Sequence, residues 1–134
     1  MLTKNILLVD DDNVFNFLHT KILRLSGVAN EIHTAENGSE ALELLNNYYT
    51  GTTSLPDVIL LDLNMPVMDG FSFLQAFQKL TLRHKEEVKI IILTSSHNQH
   101  DISRAKELGI TKFLTKPLSE EALLEALESP PVEQ

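Results

Sequence analysis

The stretch Val58–Asp62 most constrains how this chain can fold, because it has the composition of a strand buried on both faces. Its first four residues are all apolar, and two of them are β-branched. Runs of this kind, bounded by turn residues, are typical of central strands in parallel sheets. Pro66 and the Asp69-Gly70 pair follow, so the chain must leave the strand after Asp62. Asp62 is therefore predicted at the carboxyl end of a strand, where parallel α/β sheets bind ligands. There it is a nucleophile, a metal ligand or a cap on the next loop.

Elsewhere the chain alternates apolar runs of strand length with stretches of helical periodicity. The other predicted strands are 5–9, 31–34, 88–93 and 112–115. The predicted helices are one between Asn13 and Gly27 and four more at 39–49, 71–83, 97–108 and 119–128. This alternation predicts one parallel sheet with helices on both faces, a doubly wound α/β fold. The polar second strand is expected at an edge of the sheet. One domain is predicted over 1–128, followed by a flexible tail at 129–134.

Apolar residues at helical spacing give the expected inner faces of four helices. In the first helix they are Val14, Leu18, Ile22 and Leu25, with Asp12 or Asn13 as the N-cap and Gly27 as the end. In the second they are Ala41, Leu42, Leu45 and Tyr48. In the third they are Phe71, Leu74 and Phe77, followed by Leu80 or Thr81. In the last, which Ser119 caps, they are Ala122, Leu123, Ala126 and Leu127. The fourth helix has few apolar residues.

Composition excludes several classes of protein. At 134 residues the chain is long enough for one domain with a substantial core. It has no cysteine, which excludes disulfides and thiolate sites and suits a cytoplasmic protein. No apolar run approaches the length of a membrane span. The net charge of −8 repels nucleic acids and anionic membranes, so neither is expected as a direct partner.

Polar residues of three kinds follow the predicted strands. They are Asp10 and Asp11 after the first strand, Asp62 after the third, Thr94 after the fourth and Lys116 after the fifth. Because the carboxyl ends of parallel strands lie on one edge of the sheet, these side chains should meet in one pocket. Three neighbouring carboxylates repel one another unless a cation lies between them. The oxygen-only set favours Mg²⁺, and the absence of His and Cys from it argues against Zn²⁺.

This combination of side chains suits phosphoryl transfer. A carboxylate can attack phosphorus and form an aspartyl-phosphate, and the reaction depends mainly on positioning and charge neutralisation. Mg²⁺ and the Lys116 ammonium would neutralise phosphoryl oxygens, and the Thr94 hydroxyl would donate a hydrogen bond to one of them. Each type of residue at this edge therefore has a role in such a reaction.

Four separated motifs, in this order along the chain, resemble the receiver domain of bacterial two-component response regulators. They are Val9-Asp10-Asp11, Leu61–Gly70 around Asp62, Thr94, and Lys116-Pro117. The resemblance covers essentially the whole chain and implies a five-stranded, flavodoxin-like sheet of strand order 2-1-3-4-5. It also implies that Asp62 is the phosphoacceptor and that the Lys116-Pro117 peptide bond is cis.

The same resemblance implies roles for the other residues of the site. The Mg²⁺ ligands would be Asp10, Asp11, Asp62 and the backbone carbonyl of Asn64, with Asp10 acting directly or through water. Thr94 and Lys116 would bind the phosphoryl group. Mg²⁺ is the only cofactor that the resemblance implies.

A conformational switch is implied as well. Phosphorylation would draw Thr94 toward the phosphoryl group, the small Ser95 would leave room for that movement, and Phe113 would move inward. Receiver domains commonly have Tyr where this chain has Phe113, so a hydroxyl contact at the surface is lost. The alternative is that Phe113 is simply a core residue. The responsive face would comprise the fourth helix, the fifth strand and the fifth helix.

The resemblance implies a signalling module that catalyses only its own phosphorylation and autodephosphorylation. The expected phosphoryl donor is a sensor histidine kinase or a histidine phosphotransfer protein. The expected output is binding to a downstream protein, either as a monomer or as a phosphorylation-dependent homodimer. The alternative output is transfer of the phosphoryl group from Asp62 to a histidine phosphotransfer protein. No separate output domain is expected in this chain.

Two other functions use an aspartate or a phosphate site at the same edge of such a sheet, and the sequence argues against both. A phosphatase of the haloacid dehalogenase kind needs a second acid two residues after its nucleophile, and Asn64 occupies that position. A flavodoxin-like flavin binder needs a phosphate-binding loop after the first strand. The three acids Asp10, Asp11 and Asp12 would repel a flavin phosphate there.

Overall fold

In the computed structural model, five strands and five α-helices alternate along the described part of the chain, with one short 3-10 helix at Lys85–Glu87 between the third helix and the fourth strand. The structure describes residues 4–49, 55–63, 65, 68–80, 85–94, 99–110 and 112–128. The strands are β1 (Lys4–Val9), β2 (Ala29–Ala35), β3 (Val58–Asp62), β4 (Lys89–Thr94) and β5 (Phe113–Thr115). The helices are α1 (Asn13–Ser26), α2 (Gly38–Tyr49), α3 (Gly70–Lys79), α4 (Gln99–Glu107) and α5 (Glu120–Glu128). The predicted tail, 129–134, lies outside the described residues.

All strands are parallel and form one sheet of order β2-β1-β3-β4-β5. This confirms the predicted doubly wound α/β fold and its strand order. The second strand lies at an edge, as its polar sequence predicts, and is longer than the predicted 31–34. Pairs such as Val9 with Leu61, Asp62 with Leu93 and Thr94 with Thr115 bring four strand ends to one level.

The core has two layers, one on each face of the sheet. Strand residues alternate between the layers, as the two-residue repeat of a strand requires. On one face Leu7, Val9, Ile59, Leu61 and Ile92 pack with buried residues of α2, α3 and α4. On the other face Ile6, Leu8, Val58, Leu60, Ile91 and Leu93 pack with buried residues of α1 and α5. Both faces of the central strands are therefore buried, as the continuous apolar runs predict.

Three of the predicted inner helix faces agree with the structure in the part of the chain that it describes. Among the predicted positions, the buried ones are Ala41, Leu45, Phe71, Leu74, Phe77, Leu123, Ala126 and Leu127. The Tyr48 side chain and Thr81 lie outside that part. Ser119 caps α5, because its Oγ accepts a hydrogen bond from the Ala122 N–H at 3.1 Å. None of the helices among the described residues has the length and apolar character needed to cross a membrane.

The predicted inner face of α1 is wrong at Val14, Leu18 and Leu25, whereas Ile22 is half-buried and packs against the core as predicted. Val14 and Leu25 are 74% and 76% exposed, and the buried residues of the helix are Asn16, His19 and Leu23. The ends of the helix agree with the prediction: the Asp12 side chain accepts hydrogen bonds at the N-terminus, and Gly27, with φ 78°, closes the C-terminus.

Hydrogen bonds explain why α1 turns two polar residues inward. The Asn16 side-chain amide donates to the Asp10 carbonyl at 2.8 Å, and the His19 ring accepts from the Leu118 N–H at 3.1 Å. Each bond satisfies a backbone group that would otherwise be buried without a partner, at a cost of about 1–3 kcal/mol. The apolar residues Val14, Phe17, Leu18 and Leu25 are consequently left on the surface, where they form what we call the α1 stripe.

Candidate functional site

Three carboxylates lie together at the carboxyl edge of the sheet. Asp10 follows β1, Asp62 ends β3, and these two strands are neighbours in the sheet. Asp10 is fully buried and Asp62 is 5% exposed, whereas Asp11 is exposed. One carboxylate oxygen from each residue lies within 4.8 Å of the others. The prediction that these strand ends meet is therefore correct for the acidic residues.

Lys116 is the cation of the site. Its Nζ lies 2.8 Å from Asp10 Oδ2 and 3.4 Å from Asp62 Oδ2, and its side chain is only 6% exposed. Its backbone N–H donates to the Thr94 carbonyl at 2.8 Å, which holds the end of β5 against the end of β4. The Lys116-Pro117 peptide bond is cis, as predicted.

The charge on Lys116 depends on these two carboxylates. Burial by itself lowers the pKa of the Lys116 ammonium, but the hydrogen bond to Asp10 and the negative charge of Asp62 outweigh burial and raise that pKa above its ordinary value. Lys116 is therefore a fixed positive charge in the site at neutral pH. It is not suited to act as a base.

The three carboxylates differ in the hydrogen bonds and ion pairs that they already make within the protein. Asp10 Oδ1 accepts a hydrogen bond from the Asp12 N–H at 3.0 Å, and Oδ2 faces Lys116. Asp11 projects from the exposed end of the cluster. A single ammonium does not balance three carboxylates, so the group suits a hard divalent cation with oxygen ligands. Asp10, Asp11 and Asp62 fit Mg²⁺, with Asp10 the most constrained of the three by its other bonds.

The remaining predicted site residues are placed as follows. Thr94 is half-buried at the end of β4, one residue beyond the partner of Asp62 in the sheet. Phe113 begins β5, is half-buried and packs against the core layer that contains Ile92. Asn64 and Ser95 lie outside the described residues.

Gly70 lets α3 begin directly against the backbone of Asp62. Its N–H donates to the Leu63 carbonyl at 3.0 Å. A Cβ at this position would lie 2.6 Å from the Asp62 carbonyl oxygen and 2.8 Å from Leu63 Cα. Asp69 caps the helix by accepting from the Ser72 N–H at 2.9 Å. The Asp69-Gly70 pair therefore positions α3 and supports Asp62, without itself entering the carboxylate cluster.

His19 is a buried polar residue near the site that the sequence interpretation missed. It is fully buried, and its ring stacks on Phe15 with a centroid distance of 5.4 Å. Lys116 Nζ lies 4.8 Å from the centroid of that same Phe15 ring. The only signal in the sequence is that Asn16, His19 and Leu23 share one helical face, and a polar pair on such a face ordinarily indicates solvent exposure.

The free energy of unfolding should fall as the pH drops below 6.5, the ordinary pKa of histidine. Burial lowers the pKa of His19; the charges of Asp10 and Asp12 oppose this effect, and that of Lys116 adds to it. Folded His19 stays neutral while unfolded His19 takes up a proton. The stability is thus fully present above pH 6.5 and is lost as the pH falls toward the lowered pKa. Urea unfolding at several values between about pH 7.5 and 5.5 measures this slope. His19→Leu should have a shallower slope, and an equal slope in both proteins would contradict the prediction.

Comparisons with known proteins all point to one protein family. Residues 6–128 match a family model described as the response regulator receiver domain. A probable methanogenesis regulatory protein, FilR2 of Methanothrix harundinacea (strain 6Ac), is 32% identical over 123 residues, which cover 92% of this chain and 78% of that protein. The chain spans 14% to 43% of the length of seven other similar curated proteins.

Solved structures of similar proteins share the fold. A two-component response regulator from Cytophaga hutchinsonii superposes with a TM-score of 0.83 at 30% identity, and the match covers 92% of each chain. The chemotaxis response regulator CheY4 of Vibrio cholerae superposes with a TM-score of 0.75 at 30% identity, over 94% of this chain and 97% of that one. The residues matched by the family model, 6–128, run from within β1 to the end of α5 and include Asp10, Asp62 and Lys116.

Proposed function

Because this chain belongs to the response regulator receiver domain family of two-component systems, we propose that it is phosphorylated on Asp62. The observation that carries this proposal is the position of Lys116, whose Nζ lies 2.8 Å from Asp10 and 3.4 Å from Asp62. A buried ammonium beside a strand-end carboxylate supplies the charge that a phosphoryl group needs on arrival.

The proposed reaction uses the Asp62 carboxylate as nucleophile. An Asp62 oxygen forms a bond to phosphorus while the bond from phosphorus to the donor's imidazole nitrogen breaks, and the electron pair of that bond stays on the nitrogen. Lys116 neutralises a phosphoryl oxygen, and the Thr94 hydroxyl donates a hydrogen bond to another. Mg²⁺ held by Asp10, Asp11, Asp62 and the Asn64 carbonyl would supply further positive charge for the phosphoryl oxygens.

We propose that the donor is a phosphohistidine on a helix of a sensor kinase or phosphotransfer protein, and that this helix packs on the α1 stripe. The stripe begins close to the site along the chain, since Asp12 caps α1 directly after Asp10 and Asp11, and Val14 lies in the first turn of the helix. Phe17 is 69% exposed, and exposed apolar residues grouped on one helix face are typical of an interface.

Comparing the rates of phosphorylation by a protein donor and by a small donor separates the role of this docking surface from that of the reaction site. Phe17→Gln should slow phosphorylation by a phosphorylated histidine phosphotransfer domain about tenfold or more. It should leave phosphorylation by acetyl phosphate unchanged, because Phe17 does not belong to the carboxylate cluster. Equal slowing with both donors, or slowing with neither, would place the docking surface elsewhere.

The proposed output is a change in the face formed by α4, β5 and α5. Of the residues of α4, only Ala105 is fully buried, so little packing opposes a movement of this helix. Thr94 and Phe113 lie on the strands that connect the site to this face. We propose that Phe113, with Ser95 beside Thr94, transmits the phosphorylation state to a downstream protein partner or to a second copy of the chain.

The test of the proposed phosphorylation is the intact mass of the protein after incubation with acetyl phosphate. With Mg²⁺ the mass should rise by one phosphoryl group, and the added group should be lost on treatment with hydroxylamine, which cleaves acyl phosphates. With EDTA in place of Mg²⁺ no gain should be seen. The proposal would be rejected if the protein gained no phosphoryl group with Mg²⁺ and also failed to bind beryllofluoride, a phosphoryl analogue, in the presence of Mg²⁺.

Asp11→Asn should weaken Mg²⁺ binding and slow phosphorylation while leaving the protein folded. Removing one of three neighbouring carboxylates relieves repulsion, so stability without metal should stay the same or rise. The Kd for Mg²⁺, measured by calorimetric titration, should increase by about tenfold or more. Asp12→Asn is the matched control, because it removes the adjacent charge and keeps an oxygen that can cap α1. Mg²⁺ affinity equal to that of the wild type would show that Asp11 is not a metal ligand, and unfolding of the variant would contradict the expected relief of repulsion.

A further inference from the structure

The β5–α5 turn carries Lys116, and the described contacts hold this turn on two sides. On the side before it, the Lys116 N–H donates to the Thr94 carbonyl at 2.8 Å. On the side after it, the Leu118 N–H donates to His19 Nε2 at 3.1 Å. The second bond is buried and joins residues 99 positions apart in the sequence. It is therefore a tertiary contact that joins α1 to Leu118, two residues after Lys116.

The hydrogen bond determines the form of the His19 ring. A backbone N–H can only donate, so Nε2 must present its lone pair and the single ring proton must reside on Nδ1. Burial lowers the pKa of His19 and so favours this neutral form. Among the described residues Nδ1 has no hydrogen-bond partner. The acceptor role of Nε2 is thus the one polar interaction that the described structure gives to this buried ring.

A second contact joins His19 to the Lys116 side chain. Phe15 lies one helical turn before His19 and stacks on it, with ring planes inclined by 23°. The ammonium of Lys116 lies over that Phe15 ring at 4.8 Å from its centroid. The imidazole therefore supports both the backbone just after Lys116 and the aromatic surface under its Nζ.

We infer that His19 is a positioning residue for phosphorylation, which holds the β5–α5 turn so that the Lys116 ammonium stays between Asp10 and Asp62. This inference rests on the proposed function, since positioning matters only if Lys116 meets a phosphoryl group. An apolar residue in place of His19 would fill the space but leave the Leu118 N–H buried without an acceptor. The turn would then shift to reach another partner and carry Lys116 with it.

Two substitutions of similar size separate the hydrogen bond from packing. His19→Leu fills the cavity and has no acceptor, whereas His19→Gln keeps a terminal oxygen that can accept from the Leu118 N–H. The rate of phosphorylation by saturating acetyl phosphate with Mg²⁺ should fall about tenfold or more in His19→Leu, because small displacements of a positioning group cost large factors in rate. His19→Gln should recover to within about threefold of the wild type. The Kd for Mg²⁺ without donor should stay within about twofold in both variants.

The outcomes decide the inference. Equal phosphorylation rates in His19→Leu and the wild type, or equal loss in the Leu and Gln variants, would show that His19 serves packing alone. If His19→Leu does not fold by circular dichroism, His19→Met takes its place as the variant without an oxygen or nitrogen acceptor.

Amide hydrogen exchange tests the positioning role of His19 independently of whether the protein is phosphorylated. In unphosphorylated protein the Leu118 amide should exchange faster in His19→Leu than in the wild type and slowly in His19→Gln, and ¹⁵N spectra of the wild type should show the proton on Nδ1 of His19. Failure of the wild type to take up phosphate would reject the proposed function. Unchanged exchange of the Leu118 amide in His19→Leu would reject the positioning role, whatever the phosphorylation result.

Discussion

We expect Asp62→Asn to abolish phosphorylation by acetyl phosphate, so that no phosphoryl group is added to the intact mass. The amide oxygen of Asn is a far weaker nucleophile than a carboxylate, and the substitution also removes one of the carboxylates proposed to bind Mg²⁺. The loss should exceed about a thousandfold, equivalent to ~4 kcal/mol in the activation free energy.

The substitution should not disturb the fold. Asp62 Oδ2 lies 3.4 Å from Lys116, but the shorter contact of that ammonium, 2.8 Å, is with Asp10 and remains. Loss of one buried carboxylate also reduces repulsion in the cluster. Urea unfolding without metal should therefore show stability equal to or greater than that of the wild type.

Asp57→Asn is the matched control for Asp62→Asn. Asp57 comes just before β3, at the opposite end of the strand from Asp62, and its side chain accepts from the Asn5 N–H at 2.8 Å. An Asn at position 57 still offers an oxygen for that bond. This variant should be phosphorylated like the wild type. A phosphoryl group on Asp62→Asn, located by peptide mass analysis, would show that another residue is the acceptor.

The second large effect is expected for Lys116→Met, measured as stability in EDTA. The ammonium is the counter-charge for Asp10, whose side chain is fully buried, and for Asp62. Without it two buried carboxylates face each other with no cation, and removing one partner of a buried ion pair typically costs about 3–5 kcal/mol. Because Asp11 opens the cluster to solvent, we expect a loss at the lower end of that range, about 3 kcal/mol.

A double variant tests whether charge is the cause of that loss. Adding Asp10→Asn to Lys116→Met removes the carboxylate that the ammonium neutralises most closely, so more than about 1 kcal/mol of stability should return. Lys79→Met is the matched control, since Lys79 is exposed at the end of α3, and it should change stability by less than about 0.5 kcal/mol. If Lys116→Met were as stable as the wild type, the buried ion pair would not contribute to folding.

The two variants should also differ in their reaction with acetyl phosphate. Asp62→Asn lacks the proposed nucleophile, so we expect no covalently bound phosphoryl group at any donor concentration. Lys116→Met keeps the proposed nucleophile and loses the charge proposed to stabilise the phosphoryl oxygens, so phosphorylation should be slow but measurable. This difference would assign separate roles to Asp62 and Lys116. Loss of phosphorylation in both variants alike would not separate them.

Prediction from the sequence was most accurate where short-range patterns suffice. The continuous apolar run at Val58–Leu61 and the turn residues after Asp62 depend only on neighbouring positions, and the structure has β3 at Val58–Asp62. The cap at Asp12 and the end at Gly27 are equally local. Because parallel strands expose their carboxyl ends on one edge, the same local signals placed Asp10, Asp62 and Lys116 together.

Prediction failed where a residue's surroundings come from distant parts of the chain. The positions of Val14, Leu18 and Leu25 satisfy the helical repeat, and hydrophobicity alone assigns these residues to the core. The structure turns them outward. Hydrogen bonds from Asn16 to the Asp10 carbonyl and from Leu118 to His19 decide the rotation of α1.

The sequence by itself determined the order and type of the elements, the edge of the sheet that carries the acidic residues, and the residue types available for phosphoryl transfer. These follow from periodicity and from strand direction, which short stretches of chain encode. Only the tertiary structure decided which face of α1 is buried and that Asp10 is the closer partner of Lys116. It also decided that His19 bonds to the backbone of Leu118, just after Lys116. The physical reason is that buried polar groups must find partners, and here those partners lie on other elements of the fold.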